Sequence, residues 1–225
     1  MLRSLHRSLT KEVLKEFGYS KHTQKIVGET VCWPDWYRWE ACAPHAETPH
    51  QENGQPLDPA QASLETVKAL RTYLNRIETT NPNERLVWLG FALHLVQDIA
   101  THEGMTNPEH SMRVFLVWSN PDYSRKSYQG GYRYSRRFMK EIEQRFDPDL
   151  LADLKSGKEA RLLTQQERKQ LLGKPDITIV FLLDFIRTAF IYLKLKNPKK
   201  RVRWDVDNVL RLGLQKTDQD LGESG

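Results

Sequence analysis

Along most of the chain, apolar residues recur with the spacing of amphipathic helices, and the strict alternation typical of strands is sparse. The pattern and its cap residues predict helices that begin at Thr10, at Ser20, after Asp58-Pro59 and near Asn83. Further helices are predicted over residues 109–118, 129–146, 148–155, 164–172 and 204–214. The sequence therefore predicts an all-α fold.

Residues 32–57 interrupt this pattern. They contain four of the eleven prolines and show no clean periodicity, which predicts a long irregular loop. Loops of this length inside a folded domain are usually functional or disordered. Three tryptophans, Trp33, Trp36 and Trp39, favour an ordered loop whose aromatic side chains pack in the core or line a cleft.

The predicted helix over residues 83–102 is the most informative segment. From Leu86 to Val96 it is hydrophobic on every face, which is typical of a helix that is buried all round. His94 and Asp98 interrupt the apolar run, and His102 follows at the same spacing of four residues. Because residues four apart share a helix face, the three form one polar stripe. We therefore expect a multi-helix bundle around a central His-x-x-x-Asp helix.

The run over residues 177–195 is long enough to cross a bilayer, but Asp184 and Arg187 lie in its middle. Each would cost ~2.5–3.5 kcal/mol to insert, whereas in a soluble helix the two can pair. We therefore predict a buried core helix and not an integral membrane protein. No apolar leader is visible near Met1, which predicts a cytoplasmic location, or a secreted protein if residue 1 is a processed start.

Composition sets the scale of the molecule. With 225 residues, 39% of them hydrophobic and 28% charged, the chain is predicted to form one helical domain over residues 1–214 and a flexible tail over 215–225. Two cysteines exclude a disulfide framework, and Cys32 and Cys42 are expected to be inert thiols. The net charge of +5 suits an anionic substrate without establishing a nucleic-acid partner.

All seven histidines lie in the first 110 residues. A buried carboxylate such as Asp98 needs a compensating partner, and histidine with aspartate is a normal ligand pair for zinc. A His–Asp hydrogen bond without a metal explains His94 and Asp98 equally well. His102 and His110 favour the metal, because Gly104 breaks the helix and lets a loop return His110 toward His102.

In this order of residues the chain resembles the zinc-dependent phospholipase C and single-strand-specific nuclease superfamily, whose all-α members hold zinc at the bottom of a cleft. The match covers residues 1–118, which would be the metal-ligand half, with a helical scaffold over 119–214. The matching residues are His6, Asp35 in Trp33-Pro34-Asp35-Trp36, His50 with His45 as its rival, His94, Asp98, His102 and His110.

The resemblance implies a bound cofactor of one to three zinc ions and hydrolysis of a phosphodiester, in a lipid or a nucleic acid. It assigns one zinc to His94, Asp98, Asp35 and His50, a second to His6 with Asp98 bridging, and a third to His102 and His110. It also implies a catalytic role for Asp35, as a ligand that orients the attacking water.

The chain departs from the family pattern around the third zinc. His102 follows Asp98 by four residues where six are usual, and Val114 stands where an acidic residue is expected after His110. Glu103 or Glu109 would have to substitute for that acid.

A rival hypothesis is a non-catalytic helical protein in which the same residues hold a structural metal or only hydrogen-bond. Two basic regions also suit phosphate or nucleic acid, although the first is more typical of an exposed charged loop and nothing in the sequence places the second beside the histidines. They are the cluster over residues 194–203 and the set Arg125, Lys126, Arg133, Arg136 and Arg137, with Tyr123, Tyr128, Tyr132 and Tyr134 interleaved. No protein partner is predicted.

Overall fold

The computed structural model describes residues 3–37, 43–51, 55–115, 120–175, 186–187, 190 and 203–215. Within these residues the regular elements are helices, and the only β-type pairings are two isolated bridges, Thr48 with Thr106 and His50 with Pro56. The all-α prediction is therefore confirmed for the described part of the chain.

The helices are α1 (Arg3–Glu16), α2 (Lys21–Thr30), α3 (Pro34–Tyr37), α4 (Pro59–Thr79), α5 (Pro82–His102), α6 (Asn107–Phe115), α7 (Arg125–Arg145), α8 (Pro148–Ser156), α9 (Gln165–Leu172) and α10 (Val206–Leu214). The described connections between them also contain two short 3₁₀ turns, Ala43–His45 and Pro121–Tyr123.

Side-chain caps explain most of the helix starts. The Ser20 hydroxyl accepts from the Thr23 N–H at the start of α2, and Asn81 caps α5 in the same way, ahead of a proline in its first turn. Thr164 and Glu167 form a full capping box on α9. These predicted starts are confirmed.

The predicted start at Thr10 is wrong. Helix α1 begins at Arg3, and Thr10 lies buried in its middle. The Thr10 hydroxyl accepts a hydrogen bond of 3.0 Å from the Gln97 amide of α5. A tertiary contact therefore uses the oxygen that local sequence alone would assign to a cap.

Helix α5 forms the centre of the molecule, and every residue from Leu86 to His102 is buried. Helices α2, α4 and α7 pack against it. Gly90 allows the closest approach, because a Cβ there would lie 2.3 Å from Thr30 Oγ1 and 2.8 Å from the Val31 nitrogen. The crossing of α2 and α5 thus brings the end of α2 against the polar stripe of α5.

Several predictions concern residues outside the described part. The apolar run over 177–195 lies there apart from residues 186, 187 and 190, as do Trp39, Cys42, residues 216–225 and all of the basic cluster except Arg203. Among the helices that are described, none combines the length and apolar character needed to cross a bilayer.

Candidate metal centre

The stripe of α5 lies at the heart of a group of buried histidines and carboxylates. His94 Nε2 lies 3.0 Å from Asp98 Oδ2, and His102 Nδ1 lies 3.9 Å from the same oxygen on the next turn. The Asp98 side chain is 1% exposed and both histidines are equally enclosed. The spacing of one helical turn therefore places these three side chains side by side, as the sequence indicates.

A first set of donor atoms joins His6 of α1 to His94 and Asp98. His6 Nε2 lies 3.3 Å from Asp98 Oδ1, and the His6 ring stacks on the His94 ring with centroids 4.3 Å apart. One potential ligand atom from each of the three lies within 4.8 Å of the others. These three residues can hold a metal ion.

A second set shares His94 and adds Asp35 of α3 and His45, and its potential ligand atoms also lie within 4.8 Å of one another. His45 Nδ1 is 3.1 Å from His94 Nε2 and 3.4 Å from Asp98 Oδ2. Asp35 Oδ1 is 3.8 Å from His94 Nε2. The Asp35 side chain is 19% exposed, which makes it the donor of this set most open to solvent.

A third set combines Glu47, His102 and His110, with Asp122 beside it. His110 Nδ1 lies 3.1 Å from Glu47 Oε1, and the Nε2 atoms of both histidines lie 3.4 Å from Asp122 Oδ1. Helix α5 thus contributes to both ends of the centre, with Asp98 and His102 one turn apart.

Ala46 explains how two neighbouring residues reach different sets. It is fully buried and adopts a left-handed φ of 53°, which is uncommon for a residue with a Cβ. The turn sends His45 toward Asp98 and Glu47 toward His110. Backbone strain of this kind persists only where surrounding contacts hold it, and here Gly104 donates its N–H to the Ala46 carbonyl.

Three of the histidines are oriented in the same way. The Nδ1–H of His94 donates to the Val31 carbonyl at 2.9 Å, and that of His102 donates to the His45 carbonyl at 2.6 Å. His6 Nδ1 donates to Gln97 Oε1 at 2.6 Å. Because these oxygens only accept, a neutral ring in this orientation carries its lone pair on Nε2, the nitrogen that faces a buried carboxylate. Donating one ring nitrogen to an outer oxygen while the other faces the ion is the usual arrangement of metal-bound histidine.

His6 gives the sharpest indication that a cation belongs here. Its Nε2 is buried and has no hydrogen-bond partner among the described residues, although Asp98 Oδ1 is only 3.3 Å away. A lone pair facing a carboxylate in a dry interior costs free energy unless a positive charge lies between them. A proton or a metal ion satisfies this requirement, and the nitrogen and oxygen donors present fit zinc.

The electrostatics of the centre favour the ionised form of three buried carboxyls. Burial alone raises the pKa of the Glu47, Asp98 and Asp122 carboxyls, but surrounding positive charges, those of histidines among them, outweigh it and lower each pKa. Burial lowers the pKa of His94. Burial acts the same way on His110, but Asp122 and Glu47 outweigh it and raise that pKa to about 10. The enclosed negative charge therefore requires cations.

The structure brings most of the predicted ligands together, with His45 in the place predicted for His50. His6, Asp35, His94 and Asp98 meet at one end, and His102 and His110 meet at the other. His50 belongs to none of these sets, because its segment bridges to Pro56 and leaves it half-buried. Its rival His45 occupies the position beside Asp98. His22 lies apart and contacts the Ala160 carbonyl through Nε2.

The acidic residues of the third set also differ from those expected. Glu103 faces Lys126 and Arg203, and Glu109 pairs with Arg113 at 2.8 Å. Glu47 and Asp122 take their place. The sequence did not predict either residue as a ligand. Glu47 lies in the irregular loop, and Asp122 lies in an Asn-Pro-Asp turn that carries no metal-ligand motif. A histidine-adjacent acid at His45-Ala46-Glu47 was the one available indication.

The other candidate residues lie around the centre and not in it. Tyr128 and Tyr132 of α7 donate their hydroxyls to Glu12 and Glu16 of α1, so they join two helices. Cys32 is buried, and burial raises the pKa of its thiol to about 11, which fits an inert thiol better than a ligand.

Comparison of the chain with protein-family models, with curated proteins and with solved structures gave no significant match. The functional interpretation therefore rests on the residues of the centre and their geometry.

Proposed function

We propose that this protein is a zinc-dependent hydrolase that cleaves phosphodiester bonds in a phospholipid or a nucleic acid. The observation that carries the proposal is the shared orientation of His6, His94 and His102. Each has Nδ1 within hydrogen-bond distance of an outer oxygen and turns Nε2 toward a buried carboxylate, where an ion can bind between them. Sequence resemblance to the zinc-dependent phospholipase C and nuclease superfamily supports the same conclusion.

The donor atoms favour zinc over harder cations. Imidazole nitrogens with a few carboxylate oxygens suit zinc, whereas magnesium and calcium prefer sites made of oxygen. Asp98 presents Oδ1 to His6 of the first set and Oδ2 to His45 of the second, so one carboxylate reaches both donor sets. This arrangement suits two neighbouring ions, and the set of Glu47, His102 and His110 suits a third.

When bound, zinc lowers the pKa of a coordinated water to ~7 and offsets the negative charge of a phosphate. The chain itself supplies orientation and access. Val31 fixes the His94 ring, and the buried apolar surface of α5 excludes bulk water from the Asp98 side of the centre. Asp35 is more exposed than His94 and Asp98, which suits a ligand that also orients the attacking water.

One observation favours a second candidate, a structural metal site. His6, His94 and Asp98 are at most 1% exposed, and structural sites are closed whereas catalytic sites keep a position open to water. Asp35 at 19% and Asp122 at 12% are the most exposed side chains of the centre. The two candidates therefore differ in one property. In a catalytic site the metal beside Asp35 or Asp122 binds an exchangeable water, and in a structural site it does not.

Metal content is the first test. Protein purified without chelator should contain at least one zinc per chain, and His94→Ala should lose it. His22→Ala is the matched control, because His22 is a histidine outside the centre and should leave the zinc content unchanged. Circular dichroism establishes that both variants fold. Metal-free protein from a zinc-supplemented culture would contradict the proposal.

Activity then separates the two candidates. The zinc-loaded protein should hydrolyse at least one of bis-p-nitrophenyl phosphate, single-stranded DNA and phosphatidylcholine, and Asp35→Asn should reduce the rate at least ~100-fold. Bound zinc with no turnover of any of these three substrates would favour the structural site.

A further inference from the structure

A cleft lined by arginine and tryptophan lies beside the candidate metal centre. It has a volume of about 520 Å³ and is bordered by α1, the end of α2, α3 and α9. This volume falls within the range of small-molecule sites, ~300–1,000 Å³. Arg3, which lines the cleft, has its Nε 3.5 Å from Asp35 Oδ2. The cleft therefore borders the most exposed ligand of the second donor set.

Three arginines line this cleft, and they differ in how fully they are paired. The Arg7 guanidinium is already paired, because it donates to Glu29 Oε2 at 2.7 Å and to the Gly28 carbonyl at 3.3 Å. Arg3 is paired with Asp35 through its Nε. The buried Nε of Arg168 has no hydrogen-bond partner among the described residues. Glu29 is the one described carboxylate in the lining, so the cleft carries an excess of positive charge.

The two tryptophans orient the arginines and are not free to stack on a ligand through the same faces. The Arg3 guanidinium lies 3.9 Å above the Trp36 ring, and that of Arg168 lies 5.2 Å above the Trp33 ring. A guanidinium that stacks on an aromatic face keeps its N–H donors in the plane of the group, where they can bind an anion. The tryptophans thus hold the guanidinium groups of Arg3 and Arg168, and both arginines line the cleft.

We propose that this cleft binds a phosphate monoester of small-molecule size through the guanidinium groups of Arg3 and Arg168. The planar fork of arginine matches phosphate oxygens in pairs, and the volume of the cleft leaves room for an organic group on the ester. Binding requires no metal. A phosphate monoester is also the class of product that phosphodiester hydrolysis releases; this link to the neighbouring centre, but not the binding itself, rests on the proposed function.

Isothermal titration calorimetry of the chelator-treated protein at low salt tests the proposal, with phenyl phosphate and inorganic phosphate as probes. Phenyl phosphate should bind, and more tightly than inorganic phosphate. Arg168→Gln should weaken binding by about tenfold or more, because a charge-assisted hydrogen-bond pair is lost. Arg168→Lys keeps the charge but not the fork and should recover only part of the affinity.

Arg211→Gln is the matched control, since it removes the same charge from an exposed arginine of α10 outside the cleft. It should bind phenyl phosphate as the unmodified protein does. Failure of phenyl phosphate to bind, equal affinity for the two probes, or equal effects of Arg168→Gln and Arg211→Gln would overturn the proposal. Circular dichroism verifies the fold of each variant.

The outcomes for the cleft and for the proposed function are independent. Zinc-dependent hydrolysis without binding of phenyl phosphate to the chelated protein would refute the cleft and leave the hydrolase standing. Arginine-dependent binding of phenyl phosphate by a protein that takes up no zinc would refute the zinc-dependent hydrolase and support the phosphate-binding cleft.

Discussion

Gly90 provides a direct test of how the fold positions the centre. Its missing side chain lets α5 approach the end of α2, where the Val31 carbonyl fixes the His94 ring. In Gly90→Ala the new Cβ would lie 2.3 Å from Thr30 Oγ1, 2.8 Å from the Val31 nitrogen and 2.9 Å from the Thr30 carbonyl carbon. Ordinary contact begins at 3.4 Å, so the backbone of α2 has to move by about half an ångström.

The expected cost follows from two opposing terms. Overpacking against backbone costs ~1–3 kcal/mol, and replacing a helical glycine by alanine returns ~1 kcal/mol of helix propensity. Gly28→Ala isolates the second term, because its Cβ meets only the flexible side chain of Lys11 at 2.8 Å. The difference in unfolding free energy between the two variants should therefore be ~1–3 kcal/mol, with Gly90→Ala the less stable.

Urea unfolding followed by circular dichroism measures this difference. With a slope of ~2 kcal/mol per molar urea, the midpoint of Gly90→Ala should fall ~0.5–1.5 M below that of Gly28→Ala. Zinc affinity should also fall ~10–100-fold in Gly90→Ala, since His94 loses its outer hydrogen bond. Equal midpoints would show that α2 and α5 can separate freely, and the reasoning about Gly90 would be wrong.

Three further predictions concern other parts of the molecule. Ala46→Val should lower the thermal midpoint and Ala46→Gly should not, because a β-branched side chain is strained at the positive φ of this buried residue. In a Cys42→Ser background, Cys32 should react with a disulfide reagent at pH 8 only once the protein is unfolded, since burial raises its pKa to about 11; rapid labelling of the folded protein would contradict this. Hydrogen bonds from Arg161 and Thr164 lower the pKa of Glu167 to about 2. The stability from this lowered pKa is therefore present above pH ~4.5 and is lost as the pH falls toward 2, and an NMR titration midpoint near 4.5 would refute it.

The local pattern of the sequence was sufficient for most of the described helices and for the burial of α5, but not for α3 or for the starts of α1 and α7. Asn81-Pro82 marks the start of α5, and the unbroken apolar run that follows predicts its burial because no face of that helix suits water. The same run makes His94 and Asp98 conspicuous as polar groups in a dry helix. Thr10 shows the limit of local rules, since its hydroxyl contacts Gln97 across two helices.

The other ligands of the metal centre could not be predicted from local sequence, because their positions depend on the tertiary paths of the loops. His45 and His50 lie in the same irregular segment, and the tertiary path of that segment brings His45 to Asp98 while His50 bridges to Pro56. Glu47 and Asp122 belong to segments without periodicity, so nothing in the sequence places them beside His102 and His110.

Crystals grown with zinc and measured at the zinc absorption edge test the central claim most directly. We predict an anomalous peak within ~2.0–2.2 Å of His94 Nε2 and of an Asp98 carboxylate oxygen, with the Nδ1 of His94 still bonded to Val31. A map with no peak at α5, in which His94 Nε2 contacts Asp98 through a hydrogen bond alone, would contradict the account.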